Sequence, residues 1–215
     1  MATNVTFTKS LAAANATLIA GSQTPGSAAL TLTSNPVIVD TASATNIAIG
    51  RRVIVTSGGN DTGINWVVVG TNSSGSIITD TFAGVNAAAA QSNLDFATVI
   101  SITPSGAVAT TASAGTNGVG SSQWLTWNFM ITPPINVGMA VELVSGAANF
   151  TVQYTYDDPN RLTAGVLFPL PFNSIISTLA VTTDGTLSTP FVATRLLINS
   201  GTGVLRARFI QAGIG

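Results

Sequence analysis

The clearest pattern in this chain is a strict alternation of apolar and polar residues between Phe150 and Tyr156. Phe150, Val152, Tyr154 and Tyr156 share one parity, and threonine or glutamine fills each position between them. A period of two predicts a β-strand with one buried and one solvated face. Residues 157–160, with the sequence DDPN, are turn-forming and end the strand.

Two earlier segments alternate in the same way. Apolar residues share a parity from Leu125 to Ile131 and again from Val137 to Leu143. A Thr-Pro-Pro sequence follows the first segment, and residues 145–149 (SGAAN) are typical of a hairpin connection. Three strands separated by short turns predict a β-meander, which forms half of a β-sandwich or barrel.

The first half of the chain contains a second group of strands. Residues 52–56 and 64–69 are rich in valine and isoleucine, and the glycine-containing segment between them predicts a hairpin. The turn sequence NSSG at 72–75 precedes a further strand at 77–82, and residues 96–103 have the composition of another.

These segments predict an all-β chain of two antiparallel β-sandwich domains, Ig-like or jelly-roll-like, with an extended N-terminal arm. The arm comprises residues 1–34, and the first β domain comprises residues 35–111. Residues 112–123 contain four serines or threonines and three glycines, which predicts a linker. The second β domain comprises residues 124–215. The arm would either reach a neighbouring subunit or remain a loosely ordered terminus.

A weak internal repeat occurs in both halves of the chain. A β-rich run, a Ser-Gly pair and a second β-rich run occur in this order at 53–69, 141–156 and 196–210. The repeat is consistent with two related halves, although Ser-Gly turns also arise by chance in this composition.

The last two predicted strands place three arginines on one surface. Residues 199–204 (NSGTGV) fit a two-residue Gly-Thr turn, which puts Arg195 opposite Arg208, with Arg206 on the same face. The opposite face is predicted to meet the core and consists of Leu196, Ile198, Leu205, Ala207 and Phe209. Like charges opposed across two strands are destabilising, and this hairpin contains no acidic residue. The three arginines therefore predict either docking onto an acidic protein surface or a solvated outer face.

The composition excludes most kinds of chemistry. The chain has no histidine and no cysteine, which removes imidazole catalysis, thiol nucleophiles, disulfides and Cys or His metal sites. Charged residues make up 7% of the 215 residues, against about 25% in an average domain. The formal net charge of −1 provides no field for nucleic acid or an anionic membrane. No apolar run is long enough for a transmembrane helix, and residues 11–20 are too polar for an export signal.

Low charge combined with 46% apolar residues raises the question of solubility. A small domain normally stays soluble through a well-charged exterior. A surface rich in Ser, Thr and Asn would compensate for the missing charge, and so would burial of that surface in a permanent assembly. We therefore expect a homo-oligomer, with a trimer as one arrangement, rather than a free monomer.

Few residues suggest a binding or catalytic site. Asp157, Asp158 and Asn160 offer oxygen ligands for Ca²⁺, but they lack the spacing of a calcium loop and also suit a strand-end turn. The other aspartates are isolated along the chain, so we predict no catalytic residue, no cofactor and no enzymatic activity. Five aromatic residues would form either a sugar-stacking platform or part of the core: Trp66, Trp124, Trp127, Tyr154 and Tyr156.

Several of these segments resemble virion structural proteins of tailed bacteriophages. The resemblance is carried by FTVQYTYDDP at 150–159, ATRLLINSGTG at 193–203 and IQAG at 210–213, and by the Ala-, Thr-, Gly- and Val-rich composition. It covers mainly residues 124–215 and, more loosely, residues 50–122. It implies a non-enzymatic capsid decoration or cement protein that stabilises the head.

The partners implied by this resemblance are the major capsid protein or other virion proteins, in a virion assembled in the bacterial host cytoplasm. The net charge of −1 predicts no binding of nucleic acid or membrane, and no functional residue can be transferred from the resemblance. A neck, tail or head-fibre component is one alternative, and a carbohydrate-binding adhesin module is another.

Overall fold

The computed structural model describes residues 3–39, 49–128, 136–161, 168–171 and 180–211. These residues form β-strands and no helix, which confirms the all-β prediction for the described chain. The strands are β1 (Thr3–Lys9), β2 (Asn15–Gln23), β3 (Val37–Ile38), β4 (Ile49–Ser57), β5 (Asn65–Thr71), β6 (Ile77–Ala83), β7 (Ala89–Phe96), β8 (Thr98–Pro104), β9 (Ala112–Ser122), β10 (Leu125–Thr126), β11 (Val137–Ser145), β12 (Ala148–Thr155), β13 (Leu170–Pro171), β14 (Thr183–Leu187), β15 (Ala193–Gly201) and β16 (Val204–Gln211).

The described strands form three antiparallel sheets. The first sheet has the order β1-β16-β11-β14. The central sheet has the order β13-β12-β15-β9-β4-β7, and in addition β2 pairs with β9 and β10 with β15. The third sheet has the order β3-β8-β5-β6. The central sheet is the layer that the two others share.

Two hydrophobic cores lie on the central sheet. The first core packs Phe150 and Ile198 of the central sheet against Phe209 of the first sheet. The second core packs Phe96 of the central sheet against Trp66 of the third sheet. Burial of such aromatic and branched side chains supplies the main driving force for folding.

In β11 and β12 the positions predicted to face the core are buried, but the positions predicted to face solvent are not all exposed. Val141 of β11 and Val152 of β12 are fully buried. Thr151 and Thr155, predicted to face solvent, are also buried, and Thr151 Oγ1 accepts a hydrogen bond from Asn199 Nδ2 at 2.9 Å. The prediction of a solvated face is therefore wrong for β12, because the polar side chains on that face are covered and find partners within the protein.

The predicted meander and two of the predicted hairpins are wrong. The pairs β4 and β5, β11 and β12, and β15 and β16 each place their two strands in different sheets. Each connection is an arch that crosses a core, because both strands pair with distant segments instead of each other. The turn at 72–75 does form a hairpin, between β5 and β6, with Gly75 at a φ of 82°.

The predicted linker at 112–123 is also wrong, since its residues form β9 inside the central sheet. One edge of β9 pairs with β4 and the other with β2 and β15. Small residues permit this crowding: a Cβ at Gly115 would collide with the carbonyl oxygen of Asn15, and one at Gly120 would lie 2.8 Å from that of Gly50. Glycine here therefore serves close backbone packing instead of flexibility.

The N-terminal segment is extended, as predicted, but it is an integral part of the fold instead of an arm. β1 pairs with β16 along its whole length, from Thr3–Gln211 to Lys9–Leu205. Phe7 is 2% exposed and packs in the first core. Farther along, the carbonyl of Ala12 accepts a hydrogen bond from the buried Arg51. Ile19 lies in the second core, so the described part of residues 1–34 contributes to both cores.

Candidate functional site

The three arginines predicted to meet on one hairpin lie on two different sheets. Arg195 is on β15 in the central sheet, whereas Arg206 and Arg208 are on β16 in the first sheet. The predicted register is wrong because β15 pairs with β12, and β16 pairs with β1 and β11. The core face of each strand was predicted correctly, since Leu196 and Phe209 are buried.

Arg206 and Arg208 share one carboxylate on the outer face of the first sheet. β11 places Glu142 directly beside Arg206. Oε2 of Glu142 lies 3.1 Å from Nη1 of Arg206 and 3.9 Å from Nη2 of Arg208. All three side chains are partly exposed, so these ion pairs stabilise the fold little. Because Glu142 supplies the missing acid, charge repulsion no longer argues for an acidic partner; docking through this face stays a prediction.

Arg195 belongs to a different cluster, which is centred on Asp95 of β7. Oδ1 of Asp95 accepts a hydrogen bond from Nε of Arg52 at 2.9 Å, and Oδ2 accepts one from Oγ of Ser121 at 2.6 Å. Nη1 of Arg195 lies 4.0 Å from the same Oδ2 and donates to Ser121 Oγ at 3.3 Å. The Asp95 side chain is only 5% exposed. Two arginines and one aspartate thus leave one positive charge on the central sheet.

Several contacts fix the orientation of the Arg195 guanidinium. Its Nε donates to Oε1 of Gln153 at 2.8 Å, and its Cζ lies 4.6 Å from the centre of the Trp124 ring, a cation–π distance. Burial lowers the pKa of Arg195; Asp95 acts in the opposite direction and Arg52 lowers it further. An arginine in a protein nevertheless stays protonated, so the cation is a permanent feature of this site.

A polar groove of about 570 Å³ lies beside the Asp95 cluster. It runs between the β5–β6 turn, the ends of β7 and β9, and residues 159–161. We call it the polar groove. Its lining residues are Asn72, Ser73, Ser74, Ser76, Ile77, Ile78, Asn93, Leu94, Asp95, Ser121, Ser122, Gln123, Trp124, Pro159, Asn160, Arg161, Pro169 and Arg195.

The five aromatic residues do not form a single platform. Trp66 and Trp127 are buried in different cores, and Trp127 Nε1 donates to Thr194 Oγ1 at 2.9 Å. Tyr154 and Tyr156 pack edge to face at 5.6 Å, and burial, followed by the charge of Tyr156, raises the pKa of Tyr154. Trp124 alone among the five lines the polar groove.

The acidic turn after β12 uses its oxygen atoms for its own backbone. Oδ1 of Asp158 accepts from the amide of Asn160 at 2.9 Å, and Oδ2 of Asp157 accepts from the amide of Phe168 at 2.7 Å. No group of three or more acidic residues suited to a metal ion occurs among the described residues. None of the described segments is a helix that could cross a membrane.

The sequence alone does not reveal this cluster, because its four members come from strands that are separated along the chain and adjacent only in the folded sheet. In the sequence Asp95 is one of several isolated aspartates, and no local pattern distinguishes Arg52 or Ser121. One signal was present: Asp95 lies between Leu94 and Phe96 in a strand of a nearly uncharged chain. A carboxylate in that setting needs an ionic or hydrogen-bonding partner, although its identity depends on the fold.

The chain matches no protein-family model, and no curated protein sequence matches it at a significant level.

Proposed function

We propose that this protein is a non-enzymatic structural component of a tailed-phage particle, a capsid decoration or cement protein that stabilises the head by protein–protein contacts. Its partners would be copies of itself and the major capsid protein or other virion proteins. In this proposal the two cores correspond to two antiparallel sandwich modules, Ig-like or jelly-roll-like, and the chain works by shape and contact. A neck, tail or head-fibre position is the alternative within the same particle.

The observation that carries this proposal is that the described surface has few charges and that most of them are paired, with the exposed Asp184 as an exception. Exposed Arg161 pairs with Asp158 at 3.5 Å, and Arg206 and Arg208 pair with Glu142. The remaining described basic residues and three of the aspartates are buried or largely buried: Lys9, Arg51, Arg52, Arg195, Asp61, Asp80 and Asp95. A free protein normally relies on exposed charge for solubility, whereas a surface covered by neighbours does not.

The outer face of the third sheet is the best candidate for the contact. One row across its four strands consists of Ile38, Thr98, Thr71 and Ile77. Ile38 is 65% exposed and Ile77 is 72% exposed. No outward-facing position on the described strands of this sheet carries a charge. Such a face supports contact by apolar burial, which a stable interface needs over roughly 1,000 Å² or more.

The copy number in purified particles tests the assignment. We expect quantitative gel or mass-spectrometric analysis to find the chain at a copy number near that of the major capsid protein. A few copies per particle would favour the neck, tail or fibre position. Absence of the chain from particles would contradict the proposal.

Sedimentation velocity tests the contact face. We expect the purified chain to sediment as a species larger than the 21.7 kDa monomer. Ile77→Lys combined with Thr79→Lys should give a folded monomer, because two lysines in the contact would be desolvated without partners. Arg206→Glu combined with Arg208→Glu, the control, alters the first-sheet face for which docking is also predicted, and it should assemble normally if the third sheet forms the contact. Loss of assembly in the control alone would instead move the contact to the first sheet.

A further inference from the structure

The polar groove has the dimensions of a ligand site and a rigid floor. Its volume of about 570 Å³ falls within the roughly 300–1,000 Å³ typical of small-molecule pockets. Asp95, Ser121 and Arg195 form the floor and hold one another by hydrogen bonds and ion pairs. A site whose polar groups are already oriented loses little entropy when a ligand binds.

The polar side chains of the groove divide into two sets. The first set is occupied within the protein: Oδ1 of Asn72 accepts from the amides of Ser74 and Ser76, and Ser121 binds Asp95. The second set makes no side-chain hydrogen bond to any described residue. Its members are Ser74, Ser76, Gln123 and Asn160. Hydroxyl and amide groups of this kind, gathered along one groove, suit a ligand rich in hydroxyl groups.

Arg195 and Trp124 offer further donors at the groove. Nε and Nη1 of Arg195 are occupied, but Nη2 makes no hydrogen bond within the described chain and is not buried. The indole N–H of Trp124 likewise has no described acceptor and is not buried. Trp124 is partly exposed and lines the groove. An indole ring can pack against the C–H face of a sugar ring while its N–H bonds a hydroxyl.

The charge of the groove selects among hydroxyl-rich ligands. Arg52 and Arg195 share Asp95, which leaves one net positive charge at the floor. Arg161 at the rim is already paired with Asp158. A guanidinium with a free N–H favours a carboxylate, which is planar and carries one negative charge.

We propose that the polar groove binds a carboxylate-bearing saccharide, with the carboxylate on Nη2 of Arg195, the sugar ring against Trp124, and the hydroxyl groups on Gln123 and Asn160. This proposal does not depend on the assembly role, although Ile77 borders both the polar groove and the outer face of the third sheet. A free oligosaccharide and a polysaccharide on a cell surface would present the same chemistry.

Indole signals in ¹H–¹⁵N NMR spectra of the full chain test the proposal. The three tryptophans give three signals, and Trp124→Phe identifies the one from Trp124. Trigalacturonic acid should shift the Trp124 signal saturably and leave the signals of buried Trp66 and Trp127 unchanged. Galactotriose, which lacks the carboxylates, should bind about tenfold more weakly. A long polygalacturonate that binds no more tightly per site than the trimer would indicate that a free oligosaccharide suffices.

Variants inside and outside the polar groove distinguish binding in the groove from nonspecific binding to the protein surface. Gln123→Ala, which removes a side chain with no described hydrogen bond, should weaken trigalacturonate binding about tenfold in calorimetry, as should Trp124→Ala. Tyr156→Ala removes another exposed aromatic outside the groove and should leave binding unchanged. The proposal is overturned by the absence of a saturable shift up to about 10 mM trigalacturonate, by equal affinity for both trisaccharides, or by an equal loss in Tyr156→Ala.

Discussion

At the scale of single residues, Asp95 joins side chains from three other strands of the central sheet. It pairs with Arg52 at 2.9 Å and lies 4.0 Å from Arg195, and both arginine side chains are about four-fifths buried. Buried charges are tolerated when they are paired and hydrogen-bonded, and they become costly when one partner is removed. Asp95 therefore stabilises the central sheet and also sets the positive charge of the polar groove.

Replacing Asp95 by asparagine should destabilise the protein strongly. Asp95→Asn keeps the shape of the side chain but leaves Arg52 and Arg195 without a counter-charge, so we expect a loss of about 3–5 kcal/mol in the free energy of unfolding. Urea denaturation followed by circular dichroism measures this loss. Asp184→Asn, at an exposed position of β14, is the control and should change the free energy by less than about 0.5 kcal/mol. Equal losses in both variants would contradict the role given to Asp95.

At the scale of strands, the arches account for the weak internal repeat in the sequence. All three segments with a β-run, a Ser-Gly pair and a second β-run cross between sheets. The arches after β11 and β15 also pack against each other, since the amide of Gly203 donates to the carbonyl of Ala147 at 2.9 Å. Gly201 has a φ of 88°, a conformation that favours glycine. Two arches in contact allow β11 to pair with β16 in one sheet while β12 pairs with β15 in the other.

The contact between the two arches should be sensitive to a single methyl group. A Cβ at Gly203 would lie 2.7 Å from the carbonyl carbon of Ala147, so Gly203→Ala should cost about 1–3 kcal/mol by overpacking. Gly63→Ala is the matched control, because nothing lies within 4 Å of a Cβ there. Thermal or urea unfolding of both variants measures the difference. A Gly203→Ala protein as stable as Gly63→Ala would show that the arches are not in close contact.

At the scale of the whole molecule, the central sheet couples the two cores. β4 contributes Ile49 to the first core and Val53 to the second, and β9 joins β4 to β15. Neither core can lose its share of this sheet without disturbing the pairing that supports the other. We therefore expect the described chain to unfold in one cooperative transition, as single domains usually do.

Fluorine NMR of protein labelled with 5-fluorotryptophan tests this coupling. Trp127 is in the first core and Trp66 in the second, so their resonances report the two cores in one sample. Ile198→Val in the first core and Ile102→Val in the second should each cost about 0.5–1.5 kcal/mol. Each variant should lower the urea midpoint of both resonances equally. A shift confined to the resonance of the altered core would instead show two independent domains.

The positions and core faces of most strands followed from local pattern alone, because a side chain's parity on a strand decides whether it meets the core. Val141, Val152, Leu196 and Phe209 were assigned to the core in this way, and all four are buried. Composition likewise limited the kinds of catalytic and metal sites that the chain can form, since it contains no histidine and no cysteine.

Only tertiary structure decided which strands pair. A Ser-Gly turn has the same local chemistry whether the chain returns in the same sheet or crosses the core to another, so the arch after β15 could not be told from a hairpin. The small residues of β9 show the same ambiguity, because glycine permits both a flexible linker and a crowded strand. The meeting of Asp95 with Arg52, Ser121 and Arg195 depends on these long-range pairings, which are set by the packing of the whole chain and by no local segment.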